Sequence, residues 1–114
     1  MAPPPAPIDQ GDAADWIAGQ LSQPPSAGTR VIFHTVAWQY FPEAAQDKAR
    51  AALEAAGAQA TPEHPLVWFG MEADGSDAPG AALRLRAWPG QIDTSVGRAC
   101  FHGRWVDWTP PSAT

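Results

Sequence analysis

The chain has one cysteine, seven basic residues against twelve acidic ones, and no apolar run long enough to span a membrane. Each scarcity excludes something. A lone Cys100 permits no intrachain disulfide and fits a reducing compartment; within a strand-like run it is expected as a small buried hydrophobe rather than a reactive thiol. The basic residues Arg30, Lys48, Arg50, Arg84, Arg86, Arg98 and Arg104 are scattered along the sequence, and the formal charge is −5. No basic stripe is therefore available to neutralise a phosphate backbone, which argues against nucleic acid as a partner. Without about eighteen consecutive apolar residues, or a basic then apolar leader, neither membrane insertion nor secretion is expected, and a cytoplasmic location follows. The sequence has no G-x-G-x-x-G, P-loop, G-x-S-x-G or C-x-x-C, so no cofactor is implied.

What is present is a core. The 114 residues suffice for one domain, and 45 % apolar content with six tryptophans is incompatible with a disordered chain. The ends are different: MAPPPAP at the start and WTPPSAT at the finish have nothing to bury. The expected organisation is a disordered Pro-rich tail over 1–10, a single α/β domain over 11–108, and a disordered tail over 109–114.

Asp12 is placed to cap a first helix whose apolar stripe is Trp16, Ile17 and Leu21, and SQPPSAGT ends it. Arg30–Trp38 reads as a strand apolar on both faces, hence central and covered on both sides. Pro42 and Glu43 start the most secure helix; Ala45, Ala49, Ala52, Leu53 and Ala56 share one face, and Gly57 marks its end. Pro65–Glu72 is a second strand, so strand–helix–strand forms a right-handed βαβ unit with parallel strands. The segment ADGSDAPG has only eight residues, too few for a parallel crossover of about a dozen, so the next strand runs antiparallel. Leu83–Trp88 alternates apolar with Arg84 and Arg86, leaving one face solvated. Ser95–Phe101 and Arg104–Trp108 flank His102-Gly103, a hairpin turn, with one continuous strand bulged at Gly103 as the alternative. The predicted fold is α/β: a βαβ unit with two parallel strands continued by an antiparallel meander, one mixed sheet with two helices.

Parallel strands put their carboxyl ends on one edge, where open α/β sheets bind ligands. That edge gathers His34, Thr35, Trp38, Gln39 and Tyr40 from the first strand and Glu72 from the second, and the meander returns His102 to it. Two histidines and a carboxylate have the composition of an acid/base pair or a metal site. No H-x-x-H or H-E-x-x-H spacing brings any two together, however, so these seven are candidates for ligand binding, with no catalytic residue and no metal assigned. Trp16 and Trp68 are expected in the core, while Trp88, Trp105 and Trp108 either close the meander or form a docking patch.

The segment TRVIFHTVAWQYFPEAAQDKARAALEAAGA with PLVWFGMEADG resembles the second half of a class I methyltransferase that uses S-adenosylmethionine. The Gly-rich first strand-turn-helix and the crossover helix after the second strand are missing. A wider resemblance, over roughly Gly11 to Trp108, is to the uncharacterised bacterial family called domain of unknown function 2332. It rests on His34-Thr35, Trp38-Gln39-Tyr40, Trp68, Met71-Glu72, Trp88-Pro89-Gly90, His102-Gly103 and Trp105. Members of that family are about three times longer, so the resemblance implies a C-terminal portion standing alone. The resulting expectation is a domain inactive by itself. It would form one wall of a small-molecule pocket and pair with a missing N-terminal domain or a second copy. The alternatives are a small hydrolase-like enzyme, with His34 as base, Glu72 orienting it and His102 assisting, or a purely structural module.

Overall fold

A computed structural model describes residues 3–25 and 28–111. The elements run α1 (Ala13–Ser22), β1 (Arg30–Thr35), a 3-10 turn (Trp38–Tyr40), α2 (Glu43–Ala58), β2 (Leu66–Glu72), β3 (Ala81–Trp88), β4 (Ile92–Ala99) and β5 (Val106–Trp108). The five strands form one sheet in chain order. β1 and β2 are parallel, and every later pair is antiparallel. This is the predicted mixed sheet with two helices.

Local chemistry accounts for both helices. The Asp12 carboxylate accepts the Asp15 backbone N–H at 2.9 Å, satisfying one of the free donors at the start of α1. In α2 the predicted face is the buried one: Ala49, Leu53 and Ala56 are in the core, and Ala45 and Ala52 pack against it. Gly57 does not end that helix, which continues through Ala58. Instead the Trp88 indole packs against it so closely that a Cβ on Gly57 would collide with the ring.

Side chains alternate along each strand, so the register decides what shares a face. Leu66, Trp68, Gly70 and Glu72 pair with Trp88, Arg86, Arg84 and Ala82, and all of these point to the side of the helices, as do Ile32 and His34. The cores there join α1, α2, Ile32, Leu66, Trp68 and Trp88. The third cluster, Leu83, Val96 and Ala99 with Phe69, Met71 and Leu85, lies on the opposite face and contains no helical residue. Both helices therefore cover the same side.

That one-sidedness corrects the reading of β1. It is an edge strand whose burial alternates, with Val31 and Phe33 facing solvent. Its apolar residues on both faces arise because one face meets the helices and the other is uncovered. It also ends at Thr35, and Trp38–Tyr40 is a 3-10 turn rather than strand. Trp16 is not core: it is 43 % exposed, and its indole N–H donates to Asp9 at 2.7 Å. The hairpin reading holds for the last two strands, but with a loop over 100–105 closed by Cys100 N–H to Trp105 C=O at 2.9 Å. The sheet irregularity is opposite Leu83/Arg84 instead of at Gly103. Near it Gly97 adopts φ +122, and the Asp107 carbonyl passes so close that any Cβ would collide with it.

Of the expected tails, Met1–Ala2 and 112–114 lie outside the described residues. Residues 3–10 carry no regular structure, and Thr109 extends the sheet with a 2.9 Å bond to the Val96 carbonyl.

Candidate functional site

His34 and Glu72 come from adjacent parallel strands and meet at their carboxyl ends. His34 Nδ1 lies 2.7 Å from Glu72 Oε2, and the Trp68 indole N–H donates to His34 Nε2 at 2.9 Å. An indole nitrogen only donates, so Nε2 must accept. The ring is therefore assigned as the neutral tautomer with its proton on Nδ1, donated to Glu72. Room for this ring comes from Gly70, its register partner, where a Cβ would stand 2.7 Å from His34 Cε1. Trp38 stacks on the imidazole with centroids 5.1 Å apart.

Glu72 has a second task. Its Oε1 accepts the backbone N–H of Ala37 at 2.9 Å and of Gln39 at 3.2 Å, capping the start of the 3-10 turn. Burial by itself would raise its pKa. The hydrogen bonds from His34 and from the Ala37, Gln39 and Trp38 backbone outweigh that effect, and the carboxyl sits below its ordinary value. Gln39 completes the tie, its side-chain oxygen accepting the Ala73 N–H at 2.8 Å. Just before this turn Val36 has φ +48, a conformation that costs a β-branched residue about 1–3 kcal/mol. The Glu72 carboxylate and the Val36 N–H bond to Met71 C=O at 2.8 Å hold it there.

Beside the dyad, between α2 and the outer half of the helix-side sheet face, opens a cleft of about 590 Å³. His34, Trp38, Trp68 and Glu72 line one end; Arg50, Arg84, Arg86, Arg98, Asp93 and Ser95 line the rest. The Arg86 guanidinium lies 4.8 Å from the centroid of Trp88 and 5.4 Å from that of Trp68, and Arg50 lies 5.8 Å from Trp38. Arg98 is fully engaged: it donates to Asp74 and to the Ala78, Pro79 and Gly80 carbonyls, strapping down the loop between β2 and β3. That guanidinium and Ser76 hold the Asp74 carboxyl well below the usual carboxylate range.

The sequence candidates divide. His34, Trp38, Gln39 and Glu72 are brought together. Thr35 is exposed on the opposite face, and Tyr40 is 73 % exposed beside the site. His102 does return to the same edge, but at the end of β4, three strand spacings or ~14 Å from β1. It lines neither the cleft nor the dyad, and among the described residues no three His, Cys, Asp or Glu side chains gather to hold a metal. Cys100 is only partly buried and lies in the β4–β5 turn, where the backbone N–H groups of Arg104, His102 and Gly103 lower its thiol pKa.

The arginines are what the sequence reading missed. Scattered in sequence, four of the seven basic residues line this one cleft. The available signal was the alternation of Arg84 and Arg86 with leucines, which places both guanidinium groups on one face. Helix α2, which brings Arg50 over that face, supplies the wall. No curated protein and no solved structure matches the chain. Residues 1–108 match the family described as "Uncharacterized protein conserved in bacteria (DUF2332)", and the chain belongs to that family.

Proposed function

We propose that this domain binds a small molecule in the helix-side cleft and is not catalytic by itself. The observation that carries the reading is the combination of an open, polar cleft with a His34–Glu72 pair that has no free valence. Both imidazole nitrogens are engaged, one by Glu72 and one by Trp68, so neither is available to take a proton from a substrate. Glu72 is likewise committed to the backbone of the 3-10 turn. The pair shapes and stiffens the end of the cleft. A hydrolase reading needs a free Nε2, and the Trp68 indole occupies it.

The sheet face away from the helices completes the proposal. Its centre is closed by Leu83, Val96 and Ala99, but Val31 and Phe33 at the β1 edge and Val106 and Trp108 at the β5 edge are all more than half exposed, apolar edges suited to pairing with another domain or a second copy.

A thermal-shift and amide-NMR screen tests the cleft, using S-adenosylmethionine, S-adenosylhomocysteine, nucleotides, organic acids and divalent metals. The methyltransferase resemblance is the reason for the first two. Binding is expected to move the amides of Gly70, Arg84 and Ser95, and His34→Ala is expected to lower stability. Ligand-induced shifts confined to the opposite face, or a hydrolytic activity abolished by His34→Ala in an otherwise folded protein, would overturn the reading.

A further inference from the structure

Among the described residues of this acidic chain, the cleft is where positive charge is concentrated. Four of its seven cations line it, against three of its twelve carboxylates, in a molecule of net charge −5. Two of those three carboxylates are spoken for. Glu72 is bound to His34 and the 3-10 turn, and Asp74 to Arg98, whose own donors are consumed in the same strap. Arg50, Arg84 and Arg86 remain, paired with Asp47, Asp93 and Glu54 respectively, and of those three carboxylates only Asp93 lines the cleft.

Their partners leave donors over. Arg84 and Arg86 are two residues apart on β3, and their cross-strand partners are Ser95 and Asp93. Arg84 contacts one oxygen of Asp93 with both Nε and Nη2, at 2.8 and 2.7 Å, and its side chain is 67 % exposed. An ion pair that open to water is held weakly and exchanges readily. Arg86 bonds Glu54 through Nη1 at 3.0 Å, while its Nε is buried with no hydrogen-bond partner, 3.8 Å from Asp93. Arg50 bonds Asp47 on its own helix through one nitrogen, at 3.1 Å. The Ser95 hydroxyl is a further donor on the same floor.

Resting on the reading of this cleft as a ligand site, we propose that its ligand carries an oxyanion, a carboxylate or a phosphate, received by Arg84, Arg86, Arg50 and Ser95. Asp93 occupies that position in the free protein and is displaced when the ligand enters. A guanidinium presents paired N–H groups that match two oxygens of such a group, which a single shared Asp93 oxygen does not satisfy.

The test is titration of the full chain at low ionic strength, followed by amide NMR and calorimetry. The probes are inorganic phosphate, citrate, adenosine 5′-monophosphate and neutral adenosine. Anionic probes are expected to shift Arg84 and Ser95 while adenosine does not, with affinity falling as salt rises. Arg84→Gln, checked for folding by circular dichroism, is expected to weaken binding at least ten-fold. Asp93→Asn is expected to tighten it several-fold, a gain that a merely structural Asp93 would not produce. Citrate alone binding assigns a carboxylate, phosphate and the nucleotide binding alike assigns a free phosphate group, and the nucleotide alone assigns a phosphate ester. If adenosine binds as well as its monophosphate, or Asp93→Asn weakens the anions, the ligand class is wrong and the cleft reading stands. If every anionic probe is silent while neutral adenosine shifts Gly70 and Arg84, the class again fails alone. Silence of every compound in wild type and Asp93→Asn alike overturns both.

Discussion

On the helix side of the sheet Leu66 is fully buried and Trp88 is 6 % exposed; on the other side Phe33 keeps 71 % of its surface in solvent. Both faces carry large apolar side chains at comparable density, so strand chemistry does not distinguish them. Coverage does. α1 and α2 lie on one side, and α2 reaches β3 at Trp88 and Arg86 but leaves the rest of β3 and β4 open, where the sheet switches to Arg84, Arg86, Asp93 and Ser95, which tolerate water and form the cleft. The other side makes no such switch: Leu83, Val96 and Ala99 close its centre, and at its edges Val31, Phe33 and Val106 stay apolar and exposed. Polar residues at an uncovered patch fit solvent and ligand, whereas apolar ones fit another protein surface.

Substitutions on the two sides sharpen this contrast. Trp68 packs into both helix-side clusters, donates to His34 and stacks near Arg86, so Trp68→Ala is expected to cost about 3 kcal/mol in denaturant unfolding. A loss below about 1 kcal/mol would place the stability elsewhere. Glu72→Gln keeps the shape but gives up an acceptor facing two backbone N–H groups and His34, for about 2 kcal/mol. Its pH dependence has a definite sign. Because the folded pKa of Glu72 is depressed, its contribution is present above the unfolded carboxyl value of about 4.3 and is lost as pH falls through the lower folded value. The stability gap between wild type and Glu72→Gln should therefore close on acidification; a gap that widens would contradict the assignment. Gly57→Ala pushes a methyl into Trp88, an overpacking of roughly 2 kcal/mol offset by about 1 kcal/mol of improved helix propensity, for a net loss near 1 kcal/mol. The smallest effect belongs to the bare face. Phe33→Ser should change monomer stability by less than about 0.5 kcal/mol while reducing self-association or dye binding measured by sedimentation and ANS fluorescence. A loss comparable to that of Trp68→Ala would erase the distinction between the faces.

Much of this is legible in the sequence. The α2 face from Ala45 to Ala56 follows from helical spacing alone, and the eight-residue 73–80 segment is too short for anything but an antiparallel return. The joining of His34 with Glu72 needed only the rule that parallel strands end on one edge. The misreadings share a cause. β1 was expected to be central because apolar residues on two faces look alike whether the second face is covered or waiting for a partner. The stripe Trp16, Ile17 and Leu21 points Trp16 to the core, because three positions do not say which of them lies at the margin. His102 reached the right edge but the wrong place along it, because direction is set by loop length and lateral position by strand order.

The chain by itself determined its elements, their directions and the edge on which polar groups collect, since these depend on periodicity and on the number of residues available to connect one strand to the next. Only the tertiary structure decided that both helices fall on one side and that distant arginines converge on one cleft. It also decided that the His34 imidazole is sealed between Glu72 and Trp68. Those outcomes depend on strand order and on side chains meeting across 30 or more positions, and no local pattern encodes such distances.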